Sequence, residues 1–133
     1  MFYNLPQMRV LIADDSSFML DRLQQMLLSL EDVEVVVSFR NGTDALHALR
    51  DQKPDLAILD NKMPGLKGVD VIREIRKEDR KVKIMLLTFY ANTYYKQQAM
   101  NAGADYFFSK SEDFEKIPGV VSELVNDENA ALH

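Results

Sequence analysis

Short apolar segments alternate with segments of helical spacing along most of this chain. The apolar segments are rich in β-branched residues and run almost without polar interruption, which is typical of strands covered on both faces. Parallel neighbouring strands need crossover connections, which are usually helices. The alternation therefore predicts an α/β fold with a doubly wound parallel sheet. Five strands are predicted, at residues 8–14, 33–39, 55–60, 83–89 and 104–110.

Five helices are predicted to alternate with these strands, because apolar residues there recur at intervals of three and four. Gly103 is expected to end the fourth helix in a left-handed conformation, and Pro118 to lie in the first turn of the fifth. Ala99 and Met100 are placed in the fourth helix. The predicted apolar stripes of the other helices are Met19, Leu23, Met26, Leu27 and Leu30; Ala45, Leu46 and Leu49; Val69, Ile72 and Ile75; and Val120, Val121, Leu124 and Val125.

The length of 133 residues fits one domain. We expect a single domain over residues 1–133, with a core at about 8–126 and a frayed polar tail from Asn126. A net charge of −5 argues against direct nucleic-acid binding, and no apolar run approaches the roughly 18 residues of a membrane span. Cysteine is absent, which excludes disulfides and thiolate metal sites. With no secretory signal recognisable at the start, a cytoplasmic location is the default expectation.

Acidic residues stand at the ends of two predicted strands. Asp14 and Asp15 follow the first strand, and Asp60 ends the third. The carboxyl ends of parallel strands meet at one edge of a sheet, where functional groups collect. Carboxylates a few ångströms apart repel by about one to several kcal/mol, and a bound cation relieves that repulsion. Because oxygen ligands without His or Cys favour Mg²⁺, these acids predict a magnesium site.

Two further polar residues are expected at the same edge. Thr88 lies near the end of the fourth predicted strand, and Lys110 ends the fifth. A lysine ammonium suits a phosphoryl oxygen or a resting carboxylate, and a threonine hydroxyl can donate to the same group. Asp60 would then be a nucleophile that attacks an incoming phosphoryl group while the metal and Lys110 neutralise charge.

Each of these residues also has an ordinary structural interpretation. Asp14 and Asp15 could cap the first helix, since Asp is a good N-cap. Asp60 could form the turn that precedes Pro64 and Gly65. Taken singly, the acids leave both interpretations open, and only their expected clustering favours a functional site.

Together these features resemble the response-regulator receiver domain of two-component signalling, from about Arg9 to Leu124. The matching motifs are "DD" after the first strand, "LDNKMPGLKG" around the third, a threonine after the fourth and "GADYFFSK" through the fifth. The resemblance implies a flavodoxin-like five-stranded parallel sheet of order 2-1-3-4-5 with five helices.

The resemblance also implies a role for each residue of the metal site. Asp60 would be the phosphoacceptor and a metal ligand. Asp15 would bind Mg²⁺ directly, and Asp14 largely through water. The backbone carbonyl of Lys62 would supply a further ligand.

The remaining matches concern switching. By resemblance, Thr88 would move to the phosphoryl group and Lys110 would hold it. Phe107, three positions before Lys110, matches the aromatic switch of the family, and its neighbour Tyr106 matches it less well.

Two positions depart from the family pattern. Ser111 lies where most receivers carry a proline in a cis bond. Phe89 lies where they usually carry a small residue, and we expect it to restrict water or small phosphodonors. Lys62 and Tyr90 occupy the two positions expected to tune dephosphorylation.

Aromatic residues crowd the last two strands and the helix between them, too many for one buried cluster. Phe108 is expected in the core. Tyr94, Tyr95 and Tyr106 are candidates for an exposed surface that binds a protein partner or a second copy. In receivers, the usual output face is formed by the fourth helix, fifth strand and fifth helix.

The leading interpretation is a phosphoacceptor switch that receives a phosphoryl group from a histidine kinase or phosphotransfer protein, and not an enzyme that turns over a separate substrate. The chain would be a stand-alone receiver or the receiver part of a longer regulator. A degenerate receiver that only binds partners is an alternative. A Mg²⁺-dependent phosphatase is less favoured, because Lys62 stands where such sites carry a second aspartate. A flavin-binding module is disfavoured, since no phosphate-binding loop follows the first strand.

Overall fold

A five-stranded parallel sheet lies between two layers of helices in the computed structural model, which describes residues 7–131. The strand order β2-β1-β3-β4-β5 confirms the predicted doubly wound, flavodoxin-like fold. The predicted strand ends agree with the observed ones to within two residues. The strands are β1 (Met8–Ala13), β2 (Val33–Phe39), β3 (Leu56–Leu59), β4 (Lys83–Thr88) and β5 (Tyr106–Ser109). The helices are α1 (Ser17–Leu28), α2 (Gly42–Gln52), α3 (Gly68–Arg76), α4 (Thr93–Ala102) and α5 (Ile117–Ala131), with a 3₁₀ turn at Phe114–Lys116 before α5.

The continuous apolar character of the strands follows from burial on both faces of the sheet. Successive residues of β1 enter opposite layers: Leu11 packs with residues of α2 and α3, and Ile12 with residues of α1 and α5. Both side chains are fully buried. Because side chains alternate across a strand, each strand must be apolar at every position to fill two cores.

The predicted apolar stripes of the helices largely face the core. All of the predicted stripe residues of α2 and α3 are buried. In α4 only Ala99 and Ala102 are buried, and Met100 is 42% exposed. A helix with small residues on its inner face packs close to the sheet and leaves its longer side chains outside.

Several helices begin and end at residues that can form hydrogen bonds with the unpaired backbone groups of the terminal turn, or that can adopt the backbone conformation needed there. The side chain of Ser16 accepts a hydrogen bond from the amide of Met19 at the start of α1, and Asn92 caps α4 in the same way. Such caps contribute about 1 kcal/mol each. Gly103 ends α4 with φ of 117°, and Pro118 is the second residue of α5, both as predicted.

The C-terminal helix is longer than the sequence suggested. The polar tail was expected to fray from Asn126, but α5 continues through Ala131. The tail contains alanines and a glutamate, and neither glycine nor proline interrupts it, so helix can propagate. The last two residues and the first six lie outside the described residues. No helix in the described part of the chain is long and apolar enough to cross a bilayer.

Candidate functional site

Three carboxylates converge at the carboxyl edge of the sheet. Asp14 and Asp15 directly follow β1, and Asp60 directly follows β3. These two strands are hydrogen-bonded neighbours, with Ala13 opposite Leu59. One carboxylate oxygen of each acid lies within 4.8 Å of the others. The structure thus brings together the three acids that the sequence placed at one edge.

The three acids differ in burial. Asp14 is 1% exposed and Asp60 5%, whereas Asp15 is exposed to solvent. Asp14 Oδ1 accepts a hydrogen bond from the Ser16 amide at 2.9 Å. The capping interpretation therefore holds in part: one oxygen of Asp14 supports the turn into α1, while its other oxygen faces the acidic cluster.

Lys110 is the buried cation of this cluster. Its Nζ lies 2.6 Å from Asp14 Oδ2 and 3.2 Å from Asp60 Oδ2, and its side chain is only 3% exposed. One ammonium thus forms ion pairs with two buried carboxylates. Such an arrangement is costly to assemble, and removal of the shared ammonium would strongly destabilise it, because two buried carboxylates would be left without a cation. No buried side-chain polar atom in the described residues lacks a hydrogen-bond partner.

The turn after β5 holds the Lys110 backbone. The amide of Ser109 donates to Asp113 Oδ2 at 2.8 Å. Ser109 Oγ accepts from the amides of Ser111 at 3.3 Å and Glu112 at 3.2 Å. These three hydrogen bonds close the turn at Ser111. No cis peptide bond occurs in the described chain. The sequence reasoning missed this turn, although the pattern "SKSED" is typical of side chains that bond nearby amides.

Thr88 lies at the same edge, at the end of β4. It is 2% exposed, and its backbone oxygen accepts the Lys110 amide at 2.9 Å. Its Oγ1 accepts the Tyr90 amide at 3.1 Å. This bond uses the hydroxyl as an acceptor and leaves its proton available for donation.

The loop after Asp60 is held close to the sheet. Asn61 Oδ1 accepts the Val69 amide at 3.0 Å, and the Gly68 amide donates to the Asn61 carbonyl oxygen at 2.9 Å. A Cβ at Gly68 would collide with the carbonyl oxygen of Asp60. This contact gives a steric reason for glycine at position 68. The role of the Lys62 carbonyl as a metal ligand stays a prediction.

The environment of Asp60 makes its ionised form costly. The pKa of Asp60 is raised from its ordinary value of 3.8 to about 6, mainly by burial and also by the charge of Asp14. The charge and hydrogen bond of Lys110 and a backbone hydrogen bond from Lys62 act in the opposite direction and limit the rise. Ionised Asp60 is therefore a carboxylate whose negative charge is incompletely compensated.

This raised pKa predicts a pH dependence of stability. Between about pH 4 and 6 the folded state binds a proton on Asp60 that the unfolded state has released, so stability falls as pH rises. Above pH 6 the cost reaches about 3 kcal/mol. We expect Asp60→Asn, measured by urea unfolding without Mg²⁺, to be more stable than wild type at pH 8. The difference should disappear towards pH 4. A constant difference across this range would contradict the assignment.

Phe89 and Tyr90 lie on the solvent side of the site. They are 63% and 59% exposed. The Lys110 ammonium lies 5.0 Å from the centroid of the Phe89 ring, within the range of a cation–π contact. An exposed aromatic ring therefore lies directly beside the buried ammonium of the site.

The aromatic residues of β5 are divided between the two layers. Phe107 packs, partly buried, against the core on the α2 and α3 side. Tyr106 and Phe108 pack, also partly buried, against the core on the α1 and α5 side. Phe108 thus contributes to the core as predicted, but is not fully enclosed. The switching role of Phe107 stays a prediction.

Tyr94 and Tyr95 lie on α4, on the opposite side of the sheet from the layer in which Tyr106 packs. Both line depressions together with Asn61 and Lys67, next to the β3–α3 loop, whereas Tyr106 packs in the opposite layer. A common output face for all three tyrosines stays a prediction. The sequence shows that there are more aromatic residues than one core can hold. The alternation of side chains along β5 then determines the face of the sheet on which each aromatic residue of this strand lies.

Comparisons with known proteins point to one family. A family model described as "Response regulator receiver domain" matches residues 10–122. The transcriptional regulatory protein YvfU of Bacillus subtilis is 32% identical over 117 residues, which is 88% of this chain and 58% of that protein. The transcriptional regulatory protein DesR of the same organism is 31% identical, with the same two coverages of 88% and 58%. The chain thus spans less than two thirds of these curated relatives.

A solved structure gives the same result. The signal receiver domain of NarL from Mycobacterium tuberculosis superposes with a TM-score of 0.84 at 26% sequence identity. The match covers 90% of this chain and 96% of that one. The similarity in fold therefore extends over most of the chain.

Proposed function

This chain belongs to the response regulator receiver domain family, and from that premise we propose that Asp60 is its phosphoacceptor. The supporting observation is the position of Lys110 between Asp14 and Asp60. A buried ammonium shared by two carboxylates partly compensates the charge of the resting site and is available to a phosphoryl group that arrives at Asp60. A purely structural ion pair would not require a third, exposed carboxylate at the same point.

The acidic cluster fits Mg²⁺. Its ligands are carboxylate oxygens within 4.8 Å of one another, and Mg²⁺ prefers oxygen ligands and retains several waters. We assign direct contact to Asp15 and Asp60, contact through water to Asp14, and a further ligand to the Lys62 carbonyl. When bound, the ion would neutralise charge on phosphoryl oxygens during transfer.

The transfer itself is assigned to the side chains of this chain. A carboxylate oxygen of Asp60 attacks phosphorus and forms an acyl phosphate, while the bond from phosphorus to the donor breaks. The Lys110 ammonium then pairs with a phosphoryl oxygen in place of the Asp60 carboxylate. The Thr88 hydroxyl donates its proton in a hydrogen bond to another phosphoryl oxygen.

The donor class follows from the family: a histidine kinase or a phosphotransfer protein. Phosphorylation would shift the population between two arrangements of Thr88 and Phe107. The extent of that shift is limited by how much better one arrangement binds the phosphoryl group. The relatives YvfU and DesR are transcriptional regulatory proteins. We propose that this domain likewise controls an output through another protein or another domain.

The proposed function is tested by phosphoryl incorporation. The purified chain is incubated with acetyl phosphate, with Mg²⁺ or with excess EDTA, and its intact mass is followed over time. We expect one phosphoryl group per chain with Mg²⁺ and little incorporation with EDTA. No incorporation from either acetyl phosphate or a phosphorylated phosphotransfer protein would contradict the proposal. Continuous turnover of p-nitrophenyl phosphate would favour a phosphatase instead.

Phe89 is expected to slow both the entry of small donors and the loss of the phosphoryl group. In Phe89→Ala the ring no longer lies beside Lys110, so acetyl phosphate labelling and spontaneous dephosphorylation should both accelerate by about two- to fivefold. Phe18→Ala removes a ring of comparable exposure on α1 and serves as the control. Equal rates in wild type and Phe89→Ala would show that the ring does not limit access.

A further inference from the structure

A groove runs from the functional site along the boundary between α3 and α4. One depression of about 220 Å³ is lined by residues of the β3–α3 loop, Thr88 and α4. A second, of about 320 Å³, shares three residues with the first. A third, of about 260 Å³, continues along α4 to Arg73. We call this surface the tyrosine groove, and its principal residues are Lys62, Lys67, Tyr90, Tyr94, Tyr95 and Gln98.

The groove exposes much aromatic surface. Tyr94 is 64% exposed and Tyr95 39%, and their rings meet edge to face with centroids 5.4 Å apart. The Tyr94 hydroxyl accepts a hydrogen bond from Gln98 Nε2 at 2.9 Å, which orients the ring. Oriented, exposed tyrosines are unusual on a surface without a partner and are enriched at protein interfaces.

The groove is positively charged, although the chain carries a net charge of −5. Its three depressions contain Lys62, Lys67 and Arg73, and no Asp or Glu lines them. Within the described chain, neither lysine forms a salt bridge, whereas Arg73 pairs with Asp70. Two lysines without carboxylate partners beside three tyrosines match a ligand that is both acidic and apolar.

We propose that the tyrosine groove docks an acidic segment of a partner protein that carries large apolar side chains. Its apolar side chains would pack on Tyr94 and Tyr95, and its carboxylates would pair with Lys62 and Lys67. A nucleic acid fits less well, because three cations compensate few phosphates and the chain as a whole repels a polyanion. This partner deepens the proposed function, since the groove includes the switch candidate Thr88.

Peptide binding tests the groove without any phosphorylation. The probe is a fluorescein-labelled peptide in which Glu alternates with Leu and Phe, and its binding is followed by anisotropy. Matched probes are the same peptide with Lys in place of Glu, and a labelled single-stranded oligonucleotide. We expect the Glu peptide to bind, and both matched probes to bind at least about tenfold more weakly. Amide chemical shifts should change in α4 around Tyr94 and Gln98.

Single substitutions locate the binding. Lys67→Glu should weaken binding of the Glu peptide by about three- to tenfold, and Tyr94→Ala by about fivefold or more. Lys81→Glu makes the same charge change in the loop before β4, at the other end of the sheet, and should change affinity by less than about twofold. Equal losses in Lys67→Glu and Lys81→Glu would overturn the proposal, as would tighter binding of the oligonucleotide.

The coupling to phosphorylation is tested separately with beryllofluoride, a phosphoryl mimic. Its addition with Mg²⁺ should change the affinity of the Glu peptide in wild type and leave it unchanged in Asp60→Asn. A protein that incorporates the phosphoryl group but does not bind the peptide would overturn the groove and leave the switch standing. Peptide binding without any incorporation at Asp60 would support the groove and contradict the proposed function.

Discussion

Asp60→Asn is expected to lower phosphoryl incorporation about a thousandfold or more. The amide nitrogen and oxygen that replace the carboxylate cannot form the acyl phosphate, and no other described acid has the same position relative to Lys110 and the exposed Asp15. Asp14, the other carboxylate bound to Lys110, is engaged by the Ser16 amide on its second oxygen. The measurement is the initial rate of labelling by acetyl phosphate and by a phosphorylated phosphotransfer protein.

Asp51→Asn is the matched control for this substitution. Asp51 is exposed on α2, so the same chemical change there should leave labelling unaffected. The expected stability difference between Asp60→Asn and wild type favours the variant above pH 6. Loss of labelling therefore cannot be attributed to unfolding if that difference is observed. Residual labelling of Asp60→Asn at more than about a tenth of the wild-type rate would place the acceptor elsewhere.

Lys110→Met is expected to reduce the free energy of unfolding by about 3 kcal/mol at pH 7 without Mg²⁺. The substitution removes the ammonium that lies 2.6 Å from Asp14 and 3.2 Å from Asp60, and it leaves two buried carboxylates facing one another. The pKa of Asp60 should rise further, because Lys110 is one of the groups that lower it. The loss of stability should therefore shrink as the pH falls and the carboxylates bind protons.

Magnesium provides a second test of the same substitution. If Mg²⁺ binds among these acids, it should restore part of the stability lost in Lys110→Met. The charge of the ion would then compensate the carboxylates in place of the missing ammonium. Urea unfolding with and without Mg²⁺ measures both effects, and Lys81→Met provides a surface control. A Lys110→Met protein as stable as wild type at pH 7 would show that the buried ion pairs contribute little.

Much of the site could be predicted from the sequence, because residues at strand ends are brought together by strand order alone. In a parallel sheet, every strand that ends in a polar residue delivers it to the same edge. This reasoning placed Asp14, Asp60 and Lys110 together without any knowledge of side-chain conformation. The ends of α4 and α5 were partly predictable for a similar local reason, since Gly103 and Pro118 have restricted positions in helices.

Features that depend on side-chain direction were harder to predict. The sequence predicts exposed aromatic residues on α4, but the rotation of the helix about its axis determines that Tyr94 and Tyr95 border the β3–α3 loop. The same rotation buries Ala99 and Ala102 and leaves Met100 exposed. The turn closed by Ser109 and Asp113 depends on hydrogen bonds within five residues. Several alternative turns are compatible with such a polar sequence.

The proposed function requires that the acids following β1 and β3 bind a divalent ion beside Asp60. Calorimetric titration of Mg²⁺ into wild type, Asp15→Asn and Asp21→Asn measures this binding. Asp21 is an exposed acid on α1 and controls for the loss of one surface charge. We predict one binding site in wild type and Asp21→Asn, and an affinity at least about tenfold lower in Asp15→Asn. Equal affinities in all three proteins, or no Mg²⁺ binding to wild type, would contradict the proposed function.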